Sequence, residues 1–264
     1  MALGLGSGFI GGMLGIGGGV VIVPTLALVY EVNDRFETEQ QLIIAVATSL
    51  ACIIFTSASA AYKQFLAGKV RWDLYQKLVA PLLLGGFLAG FVGSLLPAFM
   101  MQLFIGLFLA MVALIMLRNW QPNATQDFPK TTGAVLIGTT GGMASGLAGI
   151  AGGNIIVPTL VYFNTPVHQA TATSSALGVP IALVATLGYL NAAPHVYQLS
   201  PLGDPLIGYI DLYAFAPIVL GAVLAAPIGV KYAHAVPGAT LKRYFGGLLV
   251  GVSANILWGA FSSL

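Results

Sequence analysis

Residues 12–26 read GMLGIGGGVVIVPTL, and residues 146–160 read GLAGIAGGNIIVPTL. Gly12, Gly15, Ile16, Gly18, Gly19, Ile22, Val23, Pro24, Thr25 and Leu26 return in register as Gly146, Gly149, Ile150, Gly152, Gly153, Ile156, Val157, Pro158, Thr159 and Leu160. The chemistry this string offers belongs to the backbone. Glycine inside a helix costs up to ~1 kcal/mol relative to alanine, and here the glycines run together as Gly17-Gly18-Gly19 and Gly152-Gly153. Five residues further on, Pro24 and Pro158 each remove an amide donor. A helix broken at the glycines restarts near Val20 and near Asn154. The head of a restarted helix has unpaired N–H groups and a partial positive charge, and both suit an anion.

Side chains join the same chemistry. Thr48-Ser49 and Thr173-Ser174, each preceded by alanine, lie about two turns into the apolar stretch after each string. Their hydroxyls are candidate donors to a dehydrated anion; the competing use is a bond to a carbonyl one turn back in the same helix. Asn154 stands where the first copy has Val20, and is a candidate ligand contact or helix cap. The candidate binding set is therefore Gly17, Gly18, Gly19, Val20, Thr48, Ser49, Gly152, Gly153, Asn154, Thr173 and Ser174, with Pro24 and Pro158 as helix-break and gating positions. No Lys, Arg, Asp or Glu is expected at mid-depth, so anion binding would rest on dipoles and hydroxyls. His168, His195 and His234 fall at segment ends or loops and read as interfacial residues, while Asp73 and Asp211 each open an Asp-Leu-Tyr helix start and read as caps.

These residues must be positioned by a membrane. Of the 264 residues, 58% are hydrophobic and 7% charged, with a mean hydropathy of +0.92. A soluble domain carries roughly 25% charged residues, so this chain cannot cover a water-facing surface. The net charge of +2 is too small to suggest nucleic acid as a partner. The single Cys52 excludes an internal disulfide and a multi-cysteine metal site, and no cofactor or metal is expected. The first residues lack a positive stretch and a clear cleavage site, so no signal peptide is read there.

Apolar stretches span about 1–30, 41–62, 76–96, 98–117, 132–163, 167–190, 211–232 and 244–261. Each has helical length for the hydrocarbon core, and long alternating strands are absent, which argues against a barrel. The duplication extends beyond the strings. Pro81, Leu84, Gly85, Leu88, Ala89 and Gly93 correspond to Pro217, Leu220, Gly221, Leu224, Ala225 and Gly229. One membrane repeat thus covers 1–120 and the other 131–264, joined by the polar linker 119–130. Such a duplication, broken by glycine at matching points, is the sequence mark of a transporter's binding site.

Charge placement sets the topology. Basic residues cluster at 63–77, around the linker, and at 231–243; only Arg35 stands apart, among Glu31, Asp34, Glu37 and Glu39. Eight simple crossings would put the 231–243 cluster outside, against the positive-inside rule. If each glycine-broken stretch is a re-entrant hairpin, nine of the ten Lys and Arg lie inside, and Glu31, Asp34, Glu37, Glu39, Asp204 and Asp211 lie outside. Each repeat is then a hairpin plus three transmembrane helices. The odd number of crossings makes the repeats inverted relative to each other, with both termini extracytoplasmic. Stretch 132–150 is the weak point, being long enough to cross if the glycines let it run straight.

Two other patterns carry no function. Gly6-Ser7-Gly8-Phe9-Ile10-Gly11 matches a dinucleotide fingerprint but lacks the preceding strand. Gly142-Met143-Ala144-Ser145-Gly146 only approaches a serine-hydrolase motif, without a histidine at its depth, so the chain is not read as an enzyme. The small-xxx-small pairs Gly8/Gly12, Gly11/Gly15, Gly138/Gly142 and Gly142/Gly146 read as helix packing.

With its doubled Gly-Ile-Gly-Gly-Gly…Val-Pro-Thr-Leu and Gly-Ile-Ala-Gly-Gly-Asn…Val-Pro-Thr-Leu, the Ala-Thr-Ser after each, and the Pro…Leu-Gly…Gly helix, the chain resembles the sulfite exporter TauE/SafE family along essentially its whole length. The resemblance implies an integral protein of the cell membrane that moves small sulfur-containing anions, such as sulfite or organosulfonates, usually outward. One departure is Ala151, where the first copy has Gly17, which would stiffen the second break. The expectation is an all-α polytopic membrane protein: a secondary transporter of small anions, working by alternating access around a midplane site and driven by a gradient. An anion channel of the same architecture and a non-transporting membrane scaffold remain alternatives.

Overall fold

The computed structural model describes residues 1–118, 128–129, 131–150, 152–193, 197–199, 205–233 and 238–262. Most of the linker 119–130, Ala151, His195, Asp204 and His234 lie outside the described residues.

Water is absent from the hydrocarbon, so every backbone amide must be satisfied within the chain, and an apolar segment there becomes a helix. The helices are α1 (Ala2–Leu14), α2 (Gly19–Val32), α3 (Thr38–Leu66), α4 (Trp72–Leu95), α5 (Ala98–Leu117), α6 (Thr131–Ala148), α7 (Gly153–Tyr162), α8 (Val167–Ala192), α9 (Leu212–Ala233) and α10 (Gly238–Ser262). Among the described residues five of them, α3, α4, α5, α8 and α9, are long and apolar enough to cross a membrane. Stretches 1–30 and 132–163 do not run straight: each is two helices separated at the glycines, α1–α2 and α6–α7. The ten residues of α7 rise only about 15 Å, half of a ~30 Å core. The chain is an all-α polytopic membrane protein.

The most buried spans, α3 and α8, pack against each other at the centre. Around them, partners are exchanged between α1–α5 and α6–α10. Helix α1 runs along α9 and α6 along α4; α3 also meets α9 and α8 meets α4; α5 pairs with α10. The glycine stripes explain the closeness. A Cβ on Gly4, Gly8 or Gly12 would strike the backbone of Ile218, Ala222 or Ala226, and one on Gly142 would strike the Leu82 carbonyl. Packing without side chains replaces the hydrophobic drive that lipid cannot supply. Leu84 and Leu88 of α4, like Leu220 and Leu224 of α9, face outward as lipid-contacting rows.

One element escaped the sequence reading. Between α8 and α9 lies a small antiparallel sheet of β1 (Tyr197–Leu199), β2 (Pro205–Ile207) and β3 (Ile210–Asp211), in the order β1-β2-β3. Leu206 and Ile210 bury their side chains in the same apolar cluster as Tyr30 and Phe36. The α3–α4 connection, residues 67–71, has no such sheet.

Candidate functional site

The two helix breaks are built alike. Gly15 closes α1 in the left-handed region at φ 71°, and the Ile16 N–H donates to the Gly11 carbonyl at 3.1 Å. Gly149 repeats this at φ 68°, with Ile150 donating to Ser145 at 2.9 Å. Gly18 at φ 83° and Gly152 at φ 77° then start α2 and α7. Only glycine takes this conformation without strain, which is why the elbows fall at these residues. The half-helices begin at Gly19 and Gly153, one residue earlier than the sequence suggested. Val21 and Ile22 donate to the Gly18 carbonyl, and Ile155 and Ile156 to that of Gly152. The preceding N–H groups of Gly19, Val20, Gly153 and Asn154 meet no backbone acceptor among the described residues. They are the orphan donors at the positive end of each half-helix.

The elbows meet each other. A Cβ on Gly19 would collide with the Gly149 carbonyl oxygen, and one on Gly153 would sit 2.5 Å from the Gly15 carbonyl oxygen. Ser49 Oγ donates to the Gly149 carbonyl at 2.9 Å, and Ser174 Oγ to the Gly15 carbonyl at 3.3 Å. The neighbouring threonines accept instead: Thr48 Oγ1 takes the Asp211 N–H and Thr173 Oγ1 the Arg71 N–H, both at 2.9 Å. Gly15–Val20, Thr48, Ser49, Gly149, Ile150, Gly152–Asn154, Thr173 and Ser174 are all buried. The structure brings Gly19, Gly153, Ser49 and Ser174 to the contact between the elbows, with Gly17 at φ 69° inside the first break, while the Thr48 and Thr173 hydroxyls bond the backbone at Asp211 and Arg71. A serine has one donor hydrogen, so Ser49 and Ser174 are committed to the opposing elbow while it stays closed.

Asn154 differs from everything around it. It is 4% exposed, and among the described residues neither its Oδ1 nor its Nδ2 has a hydrogen-bond partner. A buried unsatisfied amide costs about 1–3 kcal/mol, and here it sits on the first turn of α7 beside that helix's orphan N–H groups. Pro24 and Pro158 lie within α2 and α7. Each leaves the carbonyl four residues earlier, that of Val20 or Asn154, without its intrahelical donor. Thr25 and Thr159 return their hydroxyls to Val21 and Ile155, at 2.7 and 2.6 Å.

Sequence reasoning assigned Asp211 a capping role, and its Oδ1 does accept the Tyr213 and Ala214 N–H groups at 2.9 and 3.1 Å. It missed the other carboxylate oxygen. Oδ2 accepts the Tyr30 hydroxyl at 2.9 Å and faces Arg35 Nη1 at 3.6 Å. The isolated Arg35 amid acids was the available signal. Asp73, expected to cap α4, pairs instead with Arg71 on the surface, at 2.6 Å. That carboxylate raises the Arg71 guanidinium above its usual range. An exposed pair of this kind contributes only about 0–1 kcal/mol.

Residues 1–256 match the family described as Sulfite exporter TauE/SafE. Among curated proteins, the chain is 29% identical to a "Probable membrane transporter protein" of Haemophilus influenzae, covering 95% of this chain and 94% of that protein. It is 29% identical to a protein of the same description from Xylella fastidiosa, over 97% and 93%. It is 23% identical to the "Probable membrane transporter protein YdhB" of Bacillus subtilis, over 89% of each. No solved structure matches.

Proposed function

Since the chain belongs to the sulfite exporter TauE/SafE family of membrane transporters, we propose that it is a secondary transporter of small sulfur-containing anions, sulfite or an organosulfonate, bound between the two elbows. The observation that carries this reading is the buried, unpartnered Asn154 amide, set on the head of α7 where the two glycine breaks touch. An anion there accepts hydrogen bonds from peptide N–H groups and an amide, and no buried cation has to be supplied. A tetrahedral or pyramidal oxyanion offers several acceptor oxygens to two facing helix heads, which a single carboxylate fills less well.

The proposed transport unit consists of two inverted repeats, 1–120 and 131–264, each a re-entrant hairpin plus three crossings. Exchange of partners, α1 with α9 and α6 with α4, supports the pseudo-symmetry. The basic loops 63–77 and 231–243 favour the cytoplasm, with both termini outside. In this arrangement the touching elbows are the shut, anion-free form. Separating them frees Ser49 and Ser174 from the opposing carbonyls and turns these hydroxyls, with Thr48 and Thr173, toward the anion. Access alternates as one repeat rocks on the other about the α3–α8 contact, with Pro24 and Pro158 keeping the half-helices short. The driving force is the substrate gradient, a proton gradient or the membrane potential acting on the anion.

The test is counterflow in proteoliposomes preloaded with unlabelled anion, scanning sulfite, sulfate, thiosulfate, sulfoacetate and acetate. Saturable accumulation of a labelled sulfur oxyanion, lost on Gly18→Leu and Gly152→Leu, is the expected result. Flux without saturation or counterflow sinks the carrier reading; unchanged uptake in both variants sinks the site.

A further inference from the structure

We propose that Asp211 is the latch of the outer gate: its carboxylate ties the end of α2, the 33–37 turn and the head of α9 into one closed cluster, and outward opening requires these ties to break. The inference rests on the transport reading given above and deepens it by naming a gating residue remote from the elbows.

The carboxylate is fully buried and receives ties from separate segments. Tyr30, at the end of α2 and fully buried itself, donates its hydroxyl to Oδ2 at 2.9 Å. Arg35, in the turn that follows, approaches the same oxygen at 3.6 Å with a side chain 14% exposed. The guanidinium lies 5.0 Å from the Tyr213 ring centroid, 5.8 Å from that of Phe36 and 6.0 Å from that of Tyr30. Tyr30 and Phe36 pack edge to face at 4.8 Å. The Asp211 peptide N–H reaches Thr48 of α3, and Thr48 precedes the Ser49 that holds the opposing elbow. A chain of contacts thus runs from the outer surface at Arg35, through Asp211 and Thr48–Ser49, to the elbow at Gly149.

The placement of these ties makes the cluster a gate rather than a helix cap. Capping uses only Oδ1. Oδ2 bonds across from β3, at the head of α9, to α2, which belongs to the first hairpin, and α2 is an element that must shift relative to α9 if the elbows separate. The matching acid on the other side, Asp73, pairs with Arg71 of its own helix head and is half exposed. A buried ionised carboxylate is retained in a membrane protein only with its partners in place, so breaking the cluster exposes it to water. Opening is therefore coupled to wetting of the outer ends of α3 and α9.

Cys52 is a built-in reporter. It lies one turn beyond Thr48 on the same face of α3, is fully buried, and packs its sulfur 4.0 Å from the Phe215 carbonyl of α9. It is the chain's only cysteine. Right-side-out membrane vesicles holding the full chain are treated with a charged, impermeant methanethiosulfonate, and the rate of Cys52 modification is measured. Asp211→Asn keeps an oxygen for the two capping N–H groups and loses the charge; Arg35→Gln leaves Asp211 intact and removes the cation; Asp73→Asn is the control. The expected result is modification at least tenfold faster in Asp211→Asn and Arg35→Gln, a smaller rise in Tyr30→Phe, and no change in Asp73→Asn, with helical circular dichroism as in the wild type. Rates within twofold of wild type in Arg35→Gln overturn the latch, even if Asp211→Asn does not fold. Equal acceleration in Asp73→Asn also overturns it, since loosening would then be general. Faster labelling in a chain that moves no sulfur anion keeps the latch and removes the substrate assignment.

Discussion

Replacing Gly19 with alanine puts the elbow contact under a direct load. The added Cβ would overlap the Gly149 carbonyl oxygen and lie 2.6 Å from Ile53 Cδ1. Ile53 can swing its side-chain end away, but Gly149 O belongs to a left-handed turn and is held by Ser49. An ordinary carbon contact is about 3.5–4.0 Å, so the elbows must separate by roughly 1 Å or more. Overpacking of this kind costs about 1–3 kcal/mol, and stretching the Ser49 bond out of range adds about 1 kcal/mol. Alanine's better helix propensity returns at most ~1 kcal/mol. The net is about 2 kcal/mol against the closed form, a shift of about 4–8 °C in melting temperature for a chain of this size. Gly153→Ala loads the reciprocal contact, with Gly15 O at 2.5 Å and Ile16 Cα at 2.6 Å. Both substitutions wedge open the same interface, so the double variant is predicted to lose less than the sum of the singles. Gly6, with nothing within 4 Å, is the control. The measurement is thermal unfolding in detergent for wild type, the two singles, the double and Gly6→Ala. Singles melting with wild type, or a double that is additive, would refute elbow-to-elbow contact.

Asn154→Leu removes an unsatisfied buried amide and is expected to raise the melting temperature, by the equivalent of about 1–3 kcal/mol, while abolishing counterflow; loss of both stability and transport would mean the amide has a structural partner. Ser49→Ala and Ser174→Ala each strand a buried carbonyl and are expected to cost about 1–3 kcal/mol in the same melt, the Ser49 change more because its bond is shorter. Gly142→Ala, aimed at the Leu82 carbonyl, is predicted to destabilise by about 1–3 kcal/mol, whereas Gly251→Ala, with open space around it, is predicted to be neutral or stabilising.

The helices were legible because lipid leaves the chain few options: each apolar stretch became a helix or a glycine-split pair within a few residues of its expected limits. The elbows were legible for a local reason, since consecutive glycine and a downstream proline oppose a helix wherever they occur. Partners of the hydroxyls were not. Ser49 reaches a carbonyl 100 residues away and Ser174 one 159 away. Nothing beside either serine records this, and the sequence offered only a ligand or a carbonyl one turn back in the same helix. The sheet at 197–211 was missed because its strands are two or three residues long, too short for alternation to register. Asp211 read as a cap because capping is a local signal, while Tyr30 lies 181 residues earlier in the chain.

The reciprocity of the long-range contacts bears on how such a site can move. Gly19 is stopped by Gly149 and Gly153 by Gly15; Ser49 holds Gly149 and Ser174 holds Gly15. Each elbow is therefore completed by the other copy rather than by its own neighbours. If the repeats are inverted as proposed, these paired ties give two comparable ways of opening, which is the energetic condition the proposed alternating access needs. Whatever tips the balance must break the symmetry, and the described residues that do so are few. Asn154 stands where the first half-helix has Val20, and the Tyr30–Asp211–Arg35 cluster with its sheet covers one side. On the proposed reading, a ligand bound through Asn154 and a gate bearing on Asp211 both act at places where the two copies differ.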